Sequence, residues 1–87
     1  MQYLEQKQII KKALGKVVSK LRGEKSKFLF GAENDISTSI LSMVENGKKD
    51  PQLTTIFRLA EAFDIDVCEF LKLIKKELPE NFLFIEK

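Results

Sequence analysis

The stretch Ile36-Ser-Thr-Ser-Ile-Leu-Ser-Met-Val-Glu-Asn-Gly-Lys-Lys-Asp-Pro-Gln-Leu53 decides how this chain is read. Ile36 is expected to be a buried anchor. Ser37 is placed to cap a helix, because its hydroxyl can accept from a free backbone N–H. A helix over about 38 to 46 follows, with Leu41 and Val44 on its inner side, and it stops at Gly47, which is free to take positive φ. Lys48 to Gln52 is then a polar connector, since Pro51 biases Asp50 away from helix.

Upstream, Ile10, Leu14, Val17, Val18 and Leu21 recur at three- and four-residue spacing and predict a first helix over about 6 to 22. Gly23 is expected to close it in a left-handed conformation. The polar run Glu24-Lys25-Ser26 leads to Phe28-Leu29-Phe30, compatible with a second short helix over about 27 to 33, and Asn34-Asp35 reads as a turn.

Downstream, Leu53, Ile56, Leu59, Ala60 and Phe63 restore the helical period and predict a fourth helix over about 53 to 63. After a turn at Asp64-Ile65, Asp66-Val67-Cys68-Glu69 fits a capping box that opens a fifth helix carrying Phe70, Leu71 and Ile74 and ending before Pro79. The tail Asn81-Phe-Leu-Phe-Ile-Glu-Lys87 is apolar and aromatic, and a strand, a helical turn or an ordered arm all fit it. No strand alternation or internal repeat precedes it. The expected fold is all-α, a compact bundle of four to five short helices with a short C-terminal arm, divided as 1–76 and 77–87.

Composition narrows the function. The 87 residues suffice for one domain, and 44% apolar residues can build its core without metals or disulfides. With no histidine and one cysteine, no constellation of nucleophile, base and orienting group can be assembled, so no enzyme, catalytic residue, metal or cofactor is expected. Cys68 is expected to be a small buried residue. Apolar runs fall far short of the roughly 20 residues that span a bilayer, and no signal peptide is visible, which predicts a cytoplasmic protein without membrane contact. The net charge of +2 is uneven: residues 1–50 hold ten Lys or Arg against six acids, and residues 51–87 hold five against seven. A polyanion is expected to dock on the first half.

Together with Ile56-Phe-Arg-Leu-Ala-Glu-Ala-Phe-Asp-Ile65 and Cys68-Glu-Phe-Leu71, the opening stretch resembles the phage-repressor-like (Xre or Cro) helix-turn-helix family. That family runs from a hydrophobic-Ser helix start, through a Glu-x-Gly-Lys-x-x-Pro turn, to a Leu-Ala-x-Ala-Leu helix and a final short helix. Positions 36 to 71 follow it, and Leu14-Gly15 through Arg22 matches its first helix more loosely. The resemblance implies a helix-turn-helix DNA-binding domain over 1–76; 77–87 is a candidate dimerisation arm, with the fifth helix, because exposing Phe82, Leu83, Phe84 and Ile85 on a monomer would be costly. It also implies that Glu45 is a structural acid paired with a basic residue near the end of the first helix, here Arg22.

The physics of groove binding assigns the contacts. A helix entering the major groove needs one apolar side against its own domain and short polar side chains on the other. Thr38, Ser39, Ser42 and Met43 are the candidate base contacts. Lys27, Ser37, Asn46, Lys48, Lys49 and Gln52 are the candidate phosphate contacts, Ser37 because a helix N-terminus favours an anion. The expected function is a sequence-specific transcriptional regulator, a dimeric repressor on double-stranded operator DNA. The alternative is an interaction protein, such as an antitoxin, that uses the same fold to hold a protein partner. The departure from the family lies at Ser26-Lys27-Phe28-Leu29-Phe30-Gly31, where Phe28 and Leu29 stand in polar positions and Gly31 replaces a small alanine. An irregular second helix and a partner surface both fit this segment. Phe28 is expected in the core, and its exposure would mark a patch for a partner.

Overall fold

The computed structural model describes residues 3–85. They form five helices and, among the described residues, no strand: α1 (Leu4–Arg22), α2 (Lys27–Asn34), α3 (Thr38–Glu45), α4 (Leu53–Ala62) and α5 (Val67–Lys76). None is long and apolar enough to cross a membrane.

The apolar stripe of α1 buries Ala13, Leu14, Val17 and Val18, while its lysines face solvent. Glu5 in its first turn and Lys20 and Arg22 in its last complement the helix dipole. Gly23 ends α1 at φ 62°, ψ −130°. The positive φ was expected. The ψ lies outside the left-handed helical region, in backbone territory that glycine alone enters readily.

A short second helix does form, and it is regular. Ser26 caps it, accepting from Leu29 N–H at 3.1 Å, and Asp35 closes it in the left-handed conformation at φ 55°. Both buried side chains of α3, Leu41 and Val44, are the expected ones, at 0% and 1% exposure. Ser37 caps α3 as expected, accepting from Ile40 N–H at 3.0 Å, and the helix stops at Asn46 with Gly47 at φ 69°.

Gly31 is where α2 meets the turn into α3. A Cβ there would collide with the carbonyl oxygen of Ile36. Gly15 plays the same part between α1 and α3, where a Cβ would lie 2.6 Å from the carbonyl oxygens of both Val44 and Glu45. Backbone contact at these two crossings sets the pose of α3.

Leu59 and Ala60 of α4 and Phe70 and Ile74 of α5 complete the core. Phe63 joins the halves, stacking on Phe30 with ring centroids 4.9 Å apart and tilting against Phe70 at 6.2 Å. The capping box at α5 does not form; Asp66 caps the helix alone, its Oδ1 accepting from Cys68 N–H at 2.7 Å.

Several expectations about burial are corrected. Leu53 and Leu71 are exposed, because each sits on the outer face of its helix; Leu73 packs against the core instead of Leu71. Cys68 is exposed, since the second residue of α5 points away from the core that Phe70 enters. Phe28 is also outside, at 74% exposure, because Phe30 and Gly31 take the inward positions of α2.

The tail adopts turns and irregular backbone. Leu78 packs against the core, and Phe84 returns to Tyr3 with ring centroids 5.3 Å apart. Phe82 and Phe84 are half-buried while Leu83 and Ile85 are exposed.

Candidate nucleic-acid interface

On α3 the inward positions of Leu41 and Val44 leave Ser39 and Asn46, two turns apart, at the centre of the opposite face. Thr38, Ser39 and Asn46 are exposed, and Met43 is 41% exposed beside them. Ser42 is half-buried, because the Lys27 ammonium donates to its hydroxyl at 3.4 Å across the α2–α3 crossing. Two candidates from different helices, one expected to meet a base and one a phosphate, are thereby brought together.

The ends of the face carry the remaining candidates. Ser37 is exposed; its oxygen is occupied by Ile40 N–H, which leaves its own proton free to donate. At the far end Lys48 and Gln52 are exposed and Lys49 is half-buried. Gln52 precedes α4 without a side-chain cap bond, so its amide remains available.

The face is held by contacts behind it. Arg22 grips Glu45 in a two-pronged ion pair, Nε to Oε2 at 2.7 Å and Nη2 to Oε1 at 2.8 Å, as the sequence implied. The hydrogen bond from Glu45 raises the guanidinium pKa above its ordinary value, with burial opposing. Arg22 also donates to the Lys25 carbonyl, which ties the α1–α2 connection to the same clamp. Two supports were not legible in the sequence. Gln8 of α1 donates to the Gly47 carbonyl at 3.0 Å, and Arg58 of α4 donates to the Asp35 carbonyl in the turn before α3. Both bind backbone oxygens, and a backbone acceptor has no residue-type signature to pair with a distant side chain.

This arrangement presents α3, its polar face outward, between Lys27 on one edge and Lys48 and Lys49 at the end. A family model described as helix-turn-helix matches residues 32–70, the segment from the end of α2 through the start of α5. Over residues 32–70 the chain is similar to a helix-turn-helix of the phage-repressor-like type. No curated protein and no solved structure matches the chain significantly. The match supports a DNA-binding regulator of the helix-turn-helix type. The matched residues take in the last residues of α2 and all of α3 and α4, with α1 outside the matched segment and packed against α3.

Proposed function

We propose that this protein is a sequence-specific transcriptional repressor that binds operator DNA as a homodimer, with α3 in the major groove. The observation that carries the reading is the polar outer face of α3, backed by Leu41 and Val44 and flanked by lysines. In this reading Thr38, Ser39, Ser42 and Met43 meet base edges, where short hydroxyls donate or accept and a thioether meets a thymine methyl. Lys27, Ser37, Asn46, Lys48, Lys49 and Gln52 hold the phosphates on either side, which fixes register without specifying sequence. Repression follows from occupancy, the simplest action of a DNA-binding domain.

Dimerisation is supported by the exposed Leu83 and Ile85 on the arm, which alternate with the inward Phe82 and Phe84. An apolar edge of that kind is covered at lower cost by a second copy than by water. Twofold pairing sets two recognition helices about 34–36 Å apart on one face of the duplex.

A random-oligonucleotide selection at about 150 mM salt tests this. A palindromic winner bound about 1000-fold more tightly than scrambled DNA is the expected result. No enrichment would overturn it. The same arm favours a second reading, a protein that holds a different partner chain as an antitoxin does. Copurification of a second polypeptide in place of a homodimer would select that reading.

A further inference from the structure

Phe28 has the largest exposure of any large apolar side chain among the described residues, and it lies beside the face assigned to DNA. Phe28, Gly31 and Ala32 of α2 and Asp35, Ile36, Ser37 and Thr38 of the turn into α3 line an open cleft of about 310 Å³. Two of those residues, Ser37 and Thr38, are the cap and first residue of α3. The cleft therefore adjoins the N-terminal end of the face assigned to DNA.

The adjoining residue fixes what kind of surface this edge meets. Lys27 reaches Ser42 at the middle of α3, so the first turn of α2 runs along the flank of the recognition face with a cation and then an aromatic ring. Of the groups displayed in the major groove, the thymine C5-methyl is the apolar one, and phenylalanine is among the side chains that contact it. A polar residue at position 28 would offer that methyl nothing. We propose that Phe28 is a specificity-determining residue that receives a thymine methyl in the cleft beside Thr38, an inference that rests on α3 being the recognition helix.

The test replaces each thymine of the selected operator in turn by deoxyuridine, which removes only the methyl, and measures Kd for the full chain and for Phe28→Ala. One thymine in each half-site should lose about fourfold in affinity with the unaltered protein, the scale of one buried methyl. Phe28→Ala, which removes the contact in both half-sites, should bind the unmodified operator about 16-fold more weakly and be indifferent to that same replacement. Its circular dichroism should be unchanged, because an exposed ring contributes little to the core. Phe28→Ala binding like the unaltered protein, or responding to every deoxyuridine as the unaltered protein does, would overturn the assignment while leaving α3 as the reader. Failure of the unaltered protein to select any sequence would instead remove the DNA reading and this inference with it.

Discussion

At Gly31 and Gly15 the absence of a side chain is worth more than the helix propensity it forfeits. Alanine would favour each helix by roughly 1 kcal/mol, yet its methyl would meet the Ile36 carbonyl oxygen at Gly31, or those of Val44 and Glu45 at 2.6 Å at Gly15. Neither neighbour is a flexible side-chain end that can swing aside. Gly31→Ala and Gly15→Ala should each destabilise by about 1–3 kcal/mol, read as a fall in thermal midpoint of several degrees. A rise in midpoint for either would show that the crossing has slack. On the recognition face, Ser39→Ala should change preference at one base position by about 1 kcal/mol or more. Lys48→Ala should weaken binding to all sequences alike and reduce the salt slope by about one. Titrations against matched and scrambled DNA at several salt concentrations separate the two, and equal losses from both would refute the division of roles.

Among the elements, α1 is the support for α3. The Arg22–Glu45 pair leaves Arg22 and Glu45 with side-chain exposures of 15% and 5%, so removing one partner strands a charge in a poorly solvated place. Glu45→Ala should cost about 3 kcal/mol in urea unfolding. Adding Arg22→Ala should restore part of that loss, because the stranded charge goes with it. A weaker contact joins α1 to the end of α5, where Lys20 and Lys16 meet Glu77 at 3.1 and 3.6 Å. The hydrogen bond from Lys20 holds the Glu77 carboxyl below the usual carboxylate range, with the charge of Lys16 adding to it. Its contribution is complete above the ordinary carboxylate range, near pH 4, and disappears as pH falls through the lowered value. Glu77→Gln should flatten the acid limb of the midpoint–pH curve in that window and change the midpoint at neutral pH only slightly, as befits an exposed pair.

For the whole molecule, the proposed dimer gives the arm a role that depends on a second copy. Leu83→Glu with Ile85→Glu should leave the fold intact, since both residues are exposed, yet convert a dimer into a monomer by sedimentation equilibrium. Operator affinity should fall by far more than from loss of either side chain alone, because each half-site would then bind independently. A variant that remains dimeric would move the interface away from the arm.

The order and spacing of residues were enough for all five helices, the caps at Ser37 and Asp66 and the Gly47 stop, while the Arg22–Glu45 pair was implied by the resemblance to the helix-turn-helix family. Each depends on local periodicity, on a cap or stop residue beside its helix, or on a motif whose members stand at fixed offsets. Residues 36–53 alone also marked which side of α3 faces inward, because Leu41 and Val44 lie three apart, opposite the polar positions Ser39 and Asn46. Burial at single positions was a different matter. Phe28, Leu71 and Cys68 are all compatible with a core, and only the packing of Phe30, Leu73 and Phe70 shows that the inward places were already taken. The fold of the arm against Tyr3 and the backbone contacts at Gly15, Gly31, Gln8 and Arg58 were likewise decided in three dimensions. The physical reason is that periodicity assigns a side chain to a face of its own helix, whereas burial and backbone recognition depend on what another element brings against that face.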